Sequence, residues 1–297
     1  MPKPDPIVQR LIAGGPKLAA VHAMLDLLSK PAFSRVIGQL AQSEVPQWLL
    51  RAVIDRYVAL YNVDLSEMKD PIESFKTFDE FFGRELKPGA RPIHPEADTV
   101  VSPVDGTVLN VGRVSEGRID QIKGRSYALS ELLGSIEDST PYSEGHYVTI
   151  YLSPRDYHRI HSPVDGKITR YRYIPGRLFP VNSLGVDNID RLFAVNERLT
   201  THITGKLGDF ALVKVGATNV GMISVTYHPI RTNTGLRTAY DEKLRRKKPV
   251  QRGEQVGRFH LGSTVVLISS RPNVLPLSHI TPETPVRLGE PLMRVAE

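Results

Sequence analysis

Residues 99–109 read Thr99-Val100-Val101-Ser102-Pro103-Val104-Asp105-Gly106-Thr107-Val108-Leu109. Two β-branched runs flank an Asp-Gly step, a strong local signal for a hairpin turn. The five central residues return sixty positions later as Ser162-Pro163-Val164-Asp165-Gly166. β-prone residues again lie on both sides, from Tyr147 to Tyr151 and from Lys167 to Tyr173. We read the pair as an internal repeat of a strand–turn–strand unit. Further strands are expected at 210–216, 220–227 and 264–269, with a short helix at 127–133. Many short strands separated by Gly/Pro turns predict a sandwich or a barrel.

Upstream the period changes. In 17–30, Leu18, Val21, Leu25 and Leu28 form one helical stripe with Met24 beside it, and Pro31 ends the pattern. In 46–62, Pro46 suits a first turn, and Leu50, Val53, Ile54, Tyr57, Val58 and Tyr61 share a face. The weaker segment 32–42 reads as a short third helix. Thr77-Phe78-Asp79-Glu80 matches a capping box that opens another short helix. Residues 63–98, rich in Pro and charge, read as a connector. The expected fold is therefore α+β: N-terminal amphipathic helices over 1–98, then a β-rich, sandwich- or barrel-like catalytic domain over 99–297. The helices either pack on a core or rest in a membrane interface.

The chain has 297 residues, 40% of them hydrophobic and 24% charged, which fits a packed core rather than disorder. It has no cysteine, which excludes disulfides, thiolate metal sites and a Cys nucleophile. A net charge of +6 suits an anionic partner, whether nucleic acid, anionic lipid or an acidic substrate. No secretory pattern opens the chain, and no apolar run is long enough to predict a transmembrane helix. Lys243, Arg245, Arg246, Lys247, Lys248 and Arg252 form a basic cluster. It reads either as a solvated loop or as a patch for an anionic surface.

Three features carry candidate chemistry. Asp105 sits at a turn; His158 and His161 lie three apart in 153–161; Ser263 follows Gly262 near the C-terminus. A serine nucleophile needs a base, and a base needs an orienting acid, so Asp105, His161 and Ser263 can form a triad. The Ser263 hydroxyl can also attack the carbonyl of Gly262, turning an amide into an ester. The plainer reading of Gly262-Ser263 is a turn or bulge into the strand at 264–269. The histidines can instead be satisfied polar residues, or hold zinc together with an Asp, although the spacing is not that of the helical His-Glu-x-x-His motif. Asp165 duplicates the surroundings of Asp105, and the residues alone do not choose between them.

LSPRDYHRIHSP (152–163), LGST (261–264), SPVDG (102–106) and VGATNVG (215–221) together resemble the bacterial, membrane-associated phosphatidylserine decarboxylases. The likeness extends to FDEFFGREL (78–86), FPVN (179–182), LFAVNER (192–198) and RGEQVGRFHLGST (252–264), and so covers nearly the whole chain. The resemblance implies a proenzyme that cuts itself between Gly262 and Ser263, into a β chain of 1–262 and an α chain of 263–297. It implies that Asp105, His161 and Ser263 drive the cut, and that Ser263 survives as a covalent pyruvoyl (pyruvate) cofactor. The amine of phosphatidylserine would form a Schiff base there, and the product would be phosphatidylethanolamine. His158 matches the histidine of the second stage, as acid or charge stabiliser. The family's pattern matches Asp105 rather than Asp165. No metal and no nucleic acid is implied. The expected partners are the lipid substrate and an anionic membrane surface, with the two chains as a heterodimer that can pair again. The expected location is the cytoplasmic side of the cell membrane, held peripherally. A zinc-dependent hydrolase and a non-enzymatic membrane-binding protein are the competing readings.

Overall fold

A computed structural model of the chain describes residues 25–26, 29–121, 125–218, 222–236, 238–261 and 263–296, apart from the side chains of Phe33, Ser183, Leu184 and Ser263. Most of the expected helix at 17–30 lies outside the described residues. The weak segment 32–42 does form a helix, α1 (Pro31–Gln42), with Pro31 in its first turn. The helix expected at 46–62 is α2 (Gln47–Tyr61), ended by Asn62 in the left-handed region. Leu50 and Ile54 are buried on its inner face, while Val53 and Tyr61 are exposed. Thr77 caps α3 (Phe78–Phe82) by accepting from the N–H of Glu80. The Glu80 side chain turns back to the N–H of Lys76, one residue earlier than a capping box would have it. Leu50, Ile54, Met68, Ile72, Phe75 and Phe81 form a small core between these helices.

The rest of the chain is built on one antiparallel sheet of eight strands, confirming an α+β fold with a β-rich main body. Its middle strands are β5 (His146–Leu152), β8 (Arg198–Gly205), β9 (Gly208–Val215) and β13 (Ser263–Ser269). Their residues are buried almost throughout, polar ones such as Thr200, Thr201 and Lys214 included, because both faces of the sheet are covered. Strand periodicity sends Val265 and Leu267 to one core and Val266 and Ile268 to the other. The first core is closed by two three-stranded sheets. One is built from β6 (Arg159–His161), β10 (Ile223–Val225) and β12 (Gln255–Phe259). The other is built from β1 (Thr99–Val101), β14 (Val274–Pro276) and β16 (Pro291–Val295). The second core is closed by short helices such as Leu129–Leu133 and Leu192–Val195. A two-stranded ladder of β3 (Arg118–Asp120) and β4 (Ser126–Ala128) adds Ile119 and Tyr127 to it.

The repeat is present, but its Asp-Gly steps are not hairpin turns. β1 pairs with β16, whereas β2 (Gly106–Arg113) joins the large sheet between β5 and the short edge strand β15 (Pro285–Val286). Likewise β6 pairs with β12, whereas β7 (Gly166–Ile174) joins the large sheet beside β8. Each SPVDG segment therefore carries the chain from a small sheet to the large one. In both copies the first serine hydroxyl donates to the valine carbonyl two residues on, at 2.6 Å from Ser102 and 2.7 Å from Ser162. Gly106 and Gly166 have no alternative residue. An added Cβ would stand 2.4 Å from the Tyr151 carbonyl oxygen and 2.6 Å from that of Thr204. The copies are also tied to each other. The N–H of Val101 donates to Pro163 O at 3.0 Å, and that of His161 donates to Pro103 O at 2.9 Å.

The basic cluster is not a loop: five of its six residues, Lys243, Arg245, Arg246, Lys247 and Lys248, lie in β11 (Tyr240–Val250), the other edge strand of the large sheet, and Arg252 follows it. Rows of charge on an edge oppose pairing with another chain, so its first role is to keep that edge solvated.

Lys214, on β9, is fully buried and reaches the hydroxyl of Thr201 and the Leu212 carbonyl. Burial pushes its ammonium down to about 7. A base depressed in this way costs stability as pH falls from the unfolded value of 10.5 toward 7, because only the unfolded chain takes up the proton. Lys214→Met should therefore raise the melting temperature by several degrees at pH 7. That gain should shrink toward pH 10.5, and an equal gain at both pH values in calorimetry would contradict it.

Candidate active site

Ser263 opens β13, and its backbone pairs with Leu152 at the end of β5. The segment leading to it is fixed from several sides. The N–H of Phe259 donates to His158 O at 3.0 Å, and the N–H of His260 donates to Met222 O at 3.0 Å. Leu261, one residue before Gly262, has φ +96°. A side chain with a Cβ rarely holds that conformation, so the surroundings impose it. Gly262 and the side chain of Ser263 are outside the described residues.

A second set of polar groups clamps this segment. Asp79 on α3 lies 2.9 Å from His260 Nδ1 and accepts from Arg258 Nη2 at 2.7 Å. Ser224 Oγ lies 2.9 Å from His260 Nε2. Asp79, His260 and Ser224 thus form an Asp–His–Ser chain that sequence reading did not find. Arg258 Nε also sits 3.3 Å from Nε2, so the ring is held from both edges and acts as a fastening. The capping motif around Asp79 and the RFHLGST stretch were both visible in sequence, but nothing in either showed that they meet.

His158 is fully buried, with Phe82 against its ring at 4.1 Å between centroids. Its Nδ1 lies 2.8 Å from the carbonyl of Asp156, which can only accept, so Nδ1 carries the proton. Nε2 is then a lone-pair acceptor, and it has no partner. Burial pushes the imidazole down to about 3, so the ring is neutral at neutral pH. His161 is built the same way. Its Nδ1 donates to Gly253 O at 2.8 Å, and Nε2 lies 3.2 Å from the Tyr157 hydroxyl. Burial holds it at about 4, and the charge of Asp105 works in the opposite direction.

Asp105 is only 6% exposed. It accepts from Arg91 Nη2 at 2.6 Å and from the N–H of Leu288 at 2.8 Å. Asp165 plays the matching backbone role, accepting from the N–H of Arg252 at 2.9 Å, but its side chain is exposed. Thr107 and Thr264 both pair with Tyr151 from opposite sides of β5. Asp105 and Ser263 therefore sit at one end of the sheet, about 10 Å apart by strand spacing. No hydrogen bond joins Asp105 to His161 among the described residues, because other partners occupy both groups. Their backbones are adjacent through the bond from His161 N–H to Pro103 O.

An apolar cleft of about 730 Å³ opens beside this region. Leu40, Leu60 and Tyr61 form its outer wall, while Phe82, Leu152 and Leu261 line it near Ser263. No cluster of metal-binding side chains occurs among the described residues.

Residues 78–294 match the family model for phosphatidylserine decarboxylase. The phosphatidylserine decarboxylase proenzyme of Brevibacillus brevis is 48% identical over 247 residues, which is 82% of this chain and 87% of the relative. That of Myxococcus xanthus is 43% identical over 90% of this chain and 95% of the relative. That of an Anaeromyxobacter species is 42% identical over the same shares. A family match over most of the chain and relatives aligned nearly end to end leave one assignment: the chain belongs to the phosphatidylserine decarboxylase family.

Proposed function

We propose that this enzyme converts phosphatidylserine to phosphatidylethanolamine after cutting itself between Gly262 and Ser263. The observation that carries the reading is the junction itself. A strained Leu261 precedes the bond, β13 fixes the backbone on its far side, and an unpaired imidazole nitrogen lies on the neighbouring segment.

The Ser263 hydroxyl loses its proton and attacks the Gly262 carbonyl, and the amide becomes an ester. Loss of the Ser263 α-proton expels the Gly262 carboxylate and leaves a dehydroalanine. Its imine tautomer adds water and releases ammonia. His161 suits the base role in tautomer: the Gly253 carbonyl fixes the proton on Nδ1 and leaves Nε2 to accept. The resulting imidazolium would be stabilised by the negative charge of Asp105. His161 must exchange Tyr157 for Ser263 to do this.

The buried Nε2 of His158 fits a prosthetic group at position 263, since an unpaired acceptor there costs stability and needs a function. A pyruvoyl group supplies an electrophilic ketone and a sink for the electron pair left when carbon dioxide departs. His158 enters as an acceptor. It can take a proton from the substrate ammonium at Nε2 and return it to the α-carbon. Its apolar surroundings favour loss of the substrate's carboxylate as neutral carbon dioxide.

The cleft suits acyl chains, and the exposed apolar side chains of its outer wall suit contact with lipid. Leu40 and Leu60, on the outer wall of the cleft, are exposed, and Trp48, in the first turn of α2, is 73% exposed. No helix among the described residues is long and apolar enough to cross a membrane. These side chains fit a peripheral contact with anionic lipid, which the net charge of +6 supports.

Purified protein should separate on a denaturing gel into a large and a small chain, the small one with the mass of residues 263–297 bearing a terminal ketone. Ser263→Ala should remain one inactive chain, and an intact wild type with full activity would overturn the mechanism. His158→Ala should still cut but lose decarboxylation by about two to four orders of magnitude. Normal turnover in that variant would remove His158 from the chemistry. Asp79→Ala should destabilise the fold by about 3 kcal/mol and slow the cut in a time course. An unchanged cutting rate would return the clamp to a purely structural role.

A further inference from the structure

A second cavity, of about 540 Å³, shares no lining residue with the apolar cleft. Lys30 and Arg35, at the start of α1, line it, as do Tyr173, Glu197 and Asn233. Its volume is in the range of small-ligand sites.

The polar groups inside it are incompletely matched. Glu197 is 3% exposed. Its Oε1 accepts from the Tyr173 hydroxyl at 2.6 Å and from the N–H of Asn233 at 2.8 Å. Its Oε2 is buried with no partner. Asn233 is 6% exposed, and its Oδ1 is also buried without a partner. Two residues that line one cavity each carry a buried acceptor without a partner, which calls for a donor, and beside a carboxylate the best donor is a cation, although the charge of Arg35 already acts on Glu197. At the same cavity, no carboxylate among the described residues lies within ion-pair distance of Lys30 or Arg35. The first turn of α1 adds positive potential, and its N-cap residue Lys30 contributes no side-chain cap. One wall therefore asks for a hydrogen-bonding cation and another for an anion.

We propose that this cavity binds a phosphoethanolamine-type group, with a primary ammonium on Glu197 Oε2 and Asn233 Oδ1 and a phosphate at Lys30 and Arg35. A quaternary ammonium has no N–H to give these acceptors. A serine-type headgroup would bring its carboxylate toward Glu197. Burial holds the Glu197 carboxyl up at about 7, and an arriving ammonium favours its ionised form. The site thus selects the decarboxylated headgroup over the carboxylated one. The assignment rests on this cavity alone and goes beyond the self-cutting reaction.

The test is calorimetric titration of the full-length enzyme after borohydride treatment, which reduces any ketone able to capture amines. The probes are O-phosphoethanolamine, O-phosphocholine and O-phosphoserine. Phosphoethanolamine should bind at one saturable site, about tenfold or more tighter than the other two. Glu197→Gln and, separately, Arg35→Ala should each weaken it by a similar factor. Arg35 is only part-buried, so its variant keeps the test valid if Glu197→Gln fails to fold. Flotation with phosphatidylcholine vesicles, with and without phosphatidylethanolamine, identifies the source. An increment that depends on phosphatidylethanolamine and is lost in Arg35→Ala assigns the site to a lipid headgroup. Binding of the free probe alone assigns it to a soluble phosphoamine. No saturable heat, equal affinity for all three probes, or unchanged affinity in Arg35→Ala would overturn the proposal.

Discussion

Two backbone hydrogen bonds exchanged between the SPVDG segments set the geometry of the molecule. Val101 donates to Pro163 and His161 donates to Pro103, each near 3 Å. They lock two sheet-to-sheet crossings side by side, so the small sheets must lie over the same face of the large one. The segments after them also match. Ser102 and Ser162 donate from their N–H groups to Glu290 and Glu254, and Asp105 and Asp165 accept from Leu288 and Arg252. The repeat visible as five residues is therefore part of a larger pseudo-symmetric frame. Only one copy carries a buried, doubly engaged aspartate beside a histidine.

Burial does more electrostatic work here than ion pairing. His158 and His161 are held neutral because their surroundings penalise charge, and in each a backbone carbonyl fixes the tautomer. A base prepared this way has its accepting nitrogen known in advance. The cost is concentrated in a few groups without partners, notably His158 Nε2 and Glu197 Oε2. Glu197 lines a cavity in which a ligand could satisfy it. The fully buried Lys214 is different, since it already has two acceptors and lies within the sheet.

The helical N-terminal part and the β-rich body meet beside the segment that leads to Ser263. α3 sends Asp79 to Arg258 and His260, and Phe82 to His158. Tyr57 on α2 donates to the carbonyl of Pro154 at 2.7 Å, in the loop that carries the histidines. The elements that wall the apolar cleft thus also brace the residues at its floor. Anything that displaces these helices would be felt, through packing, at the segment that leads to Ser263.

Much of this was legible in sequence. Helical periodicity placed α2 within a residue at each end, because an amphipathic stripe depends only on local spacing. The apolar run at 264–269 marked a central strand, and the resemblance singled out Asp105, His158, His161 and Ser263. The reading of Asp-Gly as a hairpin failed because turn chemistry fixes how the chain bends and not which strand receives it. The basic stretch at 243–252 looked like a loop because charge conceals an edge strand whose ladder is satisfied on one side only. Asp79 meeting His260, Arg91 holding Asp105, and Glu197 lining one cavity with Lys30 join residues far apart along the chain. The order of residues alone determined which groups are present and the local shape of each segment. Which groups touch, which are stripped of water and which are left without a partner was decided only when the sheets closed over one another, because those properties belong to pairs of distant segments and not to any one of them.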